Sequence, residues 1–120
     1  MTCCETDDVI LHVVEGRTSA IRFTISRGGV PFDLSGLTVT LILHRASGEL
    51  VVPGGTVTPL NQTTSPGQLD YSPVAGDFTW EANLYTIHQP YLLHWKLVDG
   101  SGKVGYAPHG APAIVMVHRA

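Results

Sequence analysis

Charge is scarce in this chain. Only 14% of its 120 residues are charged, and a formal balance of −3 with a pI near 6.0 offers no general attraction to nucleic acid or to an acidic membrane surface. Long apolar runs are also missing. None approaches the roughly 20 residues that cross a bilayer, so no membrane insertion is expected. The opening residues, Met1-Thr-Cys-Cys-Glu-Thr-Asp-Asp8, have neither the basic start nor the apolar stretch of a signal peptide. A cytoplasmic origin is the expectation. Cysteine is confined to Cys3 and Cys4, with no second cluster to bridge to. A disulfide between neighbours is strained, so two free thiols in a reducing compartment are expected. They sit either on a flexible arm over residues 1–8 or buried against a neighbouring subunit.

Helical periodicity is absent as well, and what remains is strand grammar. The chain is 43% hydrophobic, and its Gly 13 and Pro 8 punctuate short apolar runs. Val9–Val14 is a first run. In Thr18–Arg27, Ile21, Phe23 and Ile25 share one face, with Arg22, Thr24 and Ser26 on the other. Leu37–Arg45 places Leu37, Val39, Leu41 and Leu43 inward and Thr38, Thr40 and His44 outward. The turn at Ala46–Glu49 then returns it into Leu50–Val52. Thr56–Leu60 is a weaker strand, Asn61–Pro66 a mobile loop tip and Gln68–Tyr71 a short strand. Ser72–Asp77 is a connection with room for one helical turn. Phe78–Ile87 fits either a strand or a loop that carries Trp80 and Tyr85 onto the core. In Tyr91–Val98, Tyr91, Leu93, Trp95 and Leu97 face inward, with His94 and Lys96 outward. Asp99–Gly102 turns this strand into Lys103–Ala107, and Ala113–His118 closes the domain. Seven to nine short strands over residues 9–120 predict a single all-β domain, an Ig-like antiparallel β-sandwich.

Three phrases carry a family resemblance. The first is Gly29-Val-Pro-Phe-Asp-Leu-Ser-Gly-Leu-Thr-Val-Thr-Leu-Ile-Leu43, with Ser47-Gly48 after it. The second is Gly67-Gln-Leu-Asp-Tyr71, followed by Pro73 and Asp77. The third runs from Tyr91 through His94-Trp95-Lys96, Asp99-Gly100 and Gly102-Lys103-Val104 to Pro108. In this order and spacing they resemble the Ig-like N-terminal domain of siphophage upper baseplate proteins and the short stand-alone phage virion proteins that share it. The resemblance implies a sandwich fold, a place in the virion, and other phage structural proteins as partners, in multiple copies on a symmetric particle. Long helical and further β regions follow the domain in baseplate proteins, and here the sequence ends at Ala120. The resemblance therefore implies the fold more than a scaffold role for receptor-binding proteins.

No catalytic constellation emerges. The chain contains no Gly-x-Ser-x-Gly elbow, phosphate-binding glycine loop or His-Glu-x-x-His, and neither enzymatic activity nor a cofactor is expected. Six histidines (His12, His44, His88, His94, His109 and His118) show no metal-ligand spacing among themselves or with Cys3 and Cys4. They are expected to face solvent or an interface, and no metal centre is expected. Asp33, Asp77 and Asp99 lie in loops, where acids usually form turns; their spacing does not ask for calcium. Partner contact is expected at Cys3, Cys4, Trp80, Tyr85, Tyr106 and His109. The Tyr106 ring either anchors an interface or closes the end of the sandwich. The reading is a non-enzymatic virion structural module, in the tail or baseplate first and on the head or neck as the alternative. The rival is a carbohydrate- or receptor-binding module for host recognition that uses Trp80, Tyr85 and Tyr91.

Overall fold

Alternation of apolar and polar residues every second position can bury one face of a strand and no more, so the chain must pair sheets to make a core. The computed structural model describes residues 4–6, 10–45, 48–79 and 88–119, and for residues 88–90 the backbone alone. Among these residues it is all-β. The strands are β1 (Glu5–Thr6), β2 (Ile10–Val14), β3 (Ile21–Arg27), β4 (Val30–Pro31), β5 (Thr38–Arg45) and β6 (Leu50–Val51). They continue with β7 (Thr56–Pro59), β8 (Gln68–Ser72), β9 (His88–Val98), β10 (Val104–Ala107) and β11 (Ala113–His118). One sheet has the order β1-β3-β8-β7 with β4 also on β3; the other has the order β2-β11-β9-β5-β6 with β10 also on β9. The β-sandwich expected from the sequence is the observed fold. Three of the strands, β1, β4 and β6, are two-residue ladders too short to show any period.

The inward faces follow the sequence phase. Ile21, Phe23 and Ile25 of β3 are buried, as are Leu41 and Leu43 of β5 and Tyr91, Leu93, Trp95 and Leu97 of β9. Trp95 is the centre. Its ring system packs T-shaped against Phe23 (centroids 5.1 Å apart, 70°) and Tyr71 (6.4 Å, 69°) of the opposite sheet. Each such aromatic pair adds about 0.5–1.5 kcal/mol beyond area burial. β9 is the longest strand and the hub, pairing with β5 over Thr38↔Val98 to Arg45↔Tyr91 and with β11 over Ala113↔Leu93 to His118↔His88.

Four details depart from the sequence expectation. Rather than belonging to a free arm, Glu5 and Thr6 pair with Ser26 and Ile25, and Cys4 and Thr6 are buried. A two-residue ladder is long enough to hold the chain there because an apolar side chain goes inward with it. Second, β2 and β11 run parallel, Ile114↔Ile10 to His118↔Val14, so the sheet is mixed. Third, Asn61–Gly67 is pinned by its own polar groups. Gln62 Oε1 accepts from the amides of Leu34 (3.0 Å) and Gly67 (2.8 Å), and its Nε2 donates to Leu60 O and Gln68 O. Fourth, Ser72–Asp77 forms a turn without helix, closed by Asp77 N donating to Val74 O at 3.0 Å. Phe78 is buried and Thr79 is described, while residues 80–87 of the ambiguous segment lie outside the described residues.

Candidate functional site

The outward face of the six-stranded sheet gathers residues from three neighbouring strands. Register sets Ile42 of β5 directly opposite His94 of β9, with His44 opposite Leu92. On the other side of β9, Tyr106 of β10 pairs with Lys96. Paired residues point to the same face, so Ile42, His44, His94 and Tyr106 converge there. After β10 the chain passes through a cis Ala107–Pro108 bond into His109 and Gly110, which border the same face. The result is a groove of about 310 Å³ lined by Ile42, His44, His94, Tyr106, His109 and Gly110.

Its chemistry is aromatic and imidazole. Tyr106 is 43% exposed, and its ring stands edge-on to His94 with centroids 6.2 Å apart at 74°. His94 Nε2 lies 3.1 Å from the Gly110 carbonyl. A carbonyl can only accept, so Nε2 carries the proton, and in the neutral ring Nδ1 is left as an acceptor. The lining offers an apolar wall, a phenol and imidazole nitrogens, with no carboxylate and no thiol. Such a wall suits a side chain or loop of a partner.

Cys4 and His109, both expected at a contact surface, are brought together. The His109 amide donates to the Cys4 carbonyl at 2.7 Å, fastening the loop after β10 to the N-terminal segment. Cys4 itself is 2% exposed and disulfide-bonded, which corrects the expectation of free thiols. Burial in the sandwich takes the Cys4 side chain away from solvent, and only its backbone carbonyl meets the loop. Cys3, Trp80 and Tyr85 lie outside the described residues. Tyr91, offered with Trp80 and Tyr85 as a sugar platform, is 1% exposed. Its hydroxyl is 3.0 Å from both the amide and the Oγ1 of Thr79, and the Arg45 guanidinium sits over its ring at 5.3 Å. That tyrosine is a core strut, which withdraws it from the carbohydrate reading.

The acids singled out in the sequence serve backbone amides. Asp33 Oδ1 accepts from Ser35 N, and Asp99 Oδ1 accepts from the amides of Ser101 and Lys103 and from Ser101 Oγ. These bonds hold both carboxyls below the usual carboxylate range, with the side-chain bonds to Ser35 and Ser101 as the largest causes. Asp77 is buried behind the Tyr71 hydroxyl. Among the described residues no group of three or more His, Cys, Asp and Glu is arranged to hold a metal ion. Nor is any helix long and apolar enough to cross a membrane.

Sequence reasoning found Tyr106 and His109 from their loop-like context. It missed Ile42, His44 and His94 as their neighbours, because that grouping depends on the β5–β9–β10 register. The usable signal was the outward phase of His44 and His94, which is visible in each strand alone. No family model matches the chain, and no curated protein matches it.

Proposed function

We propose that this chain is a non-enzymatic structural protein of a bacteriophage particle, a β-sandwich module that docks on other particle proteins in multiple copies. The tail or baseplate is its first assignment, with the head or neck as the alternative. The observation that carries the docking role is the groove on the outer sheet face. Tyr106 is exposed there beside Ile42, with His94 and His109 supplying polar contacts at the rim. Interfaces favour this pairing of an amphipathic aromatic with apolar surroundings. The particle assignment rests on the resemblance of the three phrases to siphophage baseplate domains. Several of their residues have fold-forming positions: Leu34 is buried within the Asp33 turn, Tyr71 and Trp95 are core, and Asp99 organises the β9–β10 turn. Weak contacts repeated on a symmetric particle gain strength through multivalency.

The test is a cryo-EM reconstruction of the intact particle into which this chain is fitted. Density at the tail tip, with a neighbour seated against Tyr106, supports the assignment in full. Density on the shell or neck keeps the particle role and relocates it. Absence from a well-resolved particle overturns the proposal. Saturable sugar binding that disappears in Trp80→Ala would then move the protein to host-glycan recognition.

A further inference from the structure

Parallel pairing of β2 with β11 puts two histidines in contact that are 106 positions apart in sequence. His12 Nδ1 lies 2.8 Å from His118 Nε2, with ring centroids 5.0 Å apart and planes at 40°. His12 is exposed and His118 half-buried. Beside them opens a concavity of about 480 Å³ lined by His12, Val14 and the Glu15–Ser19 turn, so a hydrated ion has access. The turn is tied to the pair, since Glu15 N donates to His118 O at 2.9 Å. Across β11 the register sets His88 opposite His118.

We propose that His12 and His118 form a bidentate site for a divalent transition metal of the Cu(II) or Ni(II) type. An imidazole presents one lone pair in the ring plane, and it takes a metal once the proton there has left. Here the two ring nitrogens face each other head-on across 2.8 Å, within reach of a single ion. With metal–nitrogen bonds of about 2.0–2.1 Å, ligands at about 90° stand roughly 2.9 Å apart, whereas tetrahedral ligands stand roughly 3.3–3.4 Å apart. The observed 2.8 Å therefore matches the spacing of neighbouring corners of a square-planar or octahedral ion, and the rings need only turn from their head-on contact to bring both lone pairs onto it. Tetrahedral zinc would need the rings to part by about 0.5 Å. Imidazole donors without thiolate select the same borderline ions, of which Cu(II) binds tightest. Water fills the remaining positions. When the metal enters, the proton between the two nitrogens leaves to solvent and the ring that gave it up takes a proton at its other nitrogen, so both ligands are neutral imidazoles.

The test titrates the full chain with Cu(II), Ni(II) and Zn(II) chlorides by calorimetry, with electron paramagnetic resonance of the copper sample. The expected result is one copper bound per chain with two nitrogen ligands in the spectrum, nickel weaker and zinc weakest. Loss of an outer-shell partner already costs about 10–100-fold in affinity, so His12→Asn and His118→Asn should each weaken copper by at least about tenfold. His94→Asn, in the other histidine group, should leave binding intact. Circular dichroism of each variant confirms that the sandwich is folded. Copper binding that survives in both His12→Asn and His118→Asn, or that is lost in His94→Asn, overturns the proposal. So does tighter binding of zinc than of copper.

Discussion

The Tyr71 hydroxyl donates to the buried carboxylate of Asp77, six positions along the chain, and that carboxylate is the acceptor for a whole corner of the sandwich. Asp77 Oδ1 also accepts from Gly54 N at 2.7 Å, and Oδ2 from Val74 N at 3.1 Å. The Tyr71 oxygen in turn accepts from Gly55 N at 3.1 Å. One acid thereby ties the segment before β7 to the turn after β8. Asp77→Ala would strand three donors in a dry environment and should cost roughly 3 kcal/mol or more. Tyr71→Phe, which leaves the amide bonds to the carboxylate in place, should cost about 1–2 kcal/mol. Urea midpoints of the two variants check the order; a larger loss in Tyr71→Phe would assign the corner to the phenol hydroxyl and not to the acid.

Alkaline stability follows from the same pair. Burial, and then the hydrogen bond to Asp77, raise the Tyr71 hydroxyl well above the ordinary tyrosine value. Below about pH 10 the phenol is protonated in both the folded and unfolded chains and contributes no slope. Above it the unfolded chain loses that proton first, so the unfolded state binds fewer protons and folding stability falls as pH rises. Tyr71→Phe should flatten the decline between about pH 10 and 12 in chemical denaturation series. An unchanged slope would exclude Tyr71 as its source.

Gln62 uses both ends of its amide, and no aliphatic replacement can. Gln62→Ala removes the acceptor for the Leu34 and Gly67 amides and should lower stability by roughly 2 kcal/mol. Hydrogen exchange should show faster exchange at those two amides first, with the Trp95 core still protected. Uniform acceleration across the chain would mean that the loop is no separate unit.

Gly67 is the tightest backbone position in that loop. Its φ is +76°, and a Cβ there would collide with the Ile25 carbonyl and come within 3.0 Å of Phe32 N. Both objections act together, so Gly67→Ala should cost at least about 2 kcal/mol and pull β4 away from β3. Gly100→Ala, where a Cβ meets nothing within 4 Å and φ is not positive, is the matched control. A thermal melt comparing the two gives the answer.

Tyr106→Ala should separate docking from folding. The ring is 43% exposed and its edge contact to His94 is on the surface, so stability should change by less than about 1 kcal/mol. Incorporation into particles, read by mass spectrometry of purified virions, should fall several-fold. Normal incorporation would remove the groove from the docking surface.

The longer strands were legible because each declares its own phase. Ile21, Phe23 and Ile25 in β3 alternate without a break, as do Tyr91, Leu93, Trp95 and Leu97 in β9, and all are buried. Strand partners were not legible. Whether Val13 packs beside Val117 in a parallel ladder depends on contacts across the whole chain, and no local pattern encodes it. The same gap hid the His12–His118 contact and the grouping of Ile42 with His94. Asp77 was misjudged because an acid after Ala-Gly reads as a surface turn, and only the folded corner shows three buried donors converging on it. β1 escaped notice because two residues carry no period at all.

The parallel closure has a mechanical consequence. β2 and β11 lie side by side and point the same way, so a load drawn between Ile10 and His118 runs along the ladder, not across it. Five residue pairs, Ile114↔Ile10 through His118↔Val14, would then resist in shear together and would not open one after another like a zipper. On that axis the domain should yield late and abruptly, whereas β6, held by two residue pairs at the far edge, can be peeled away at small force.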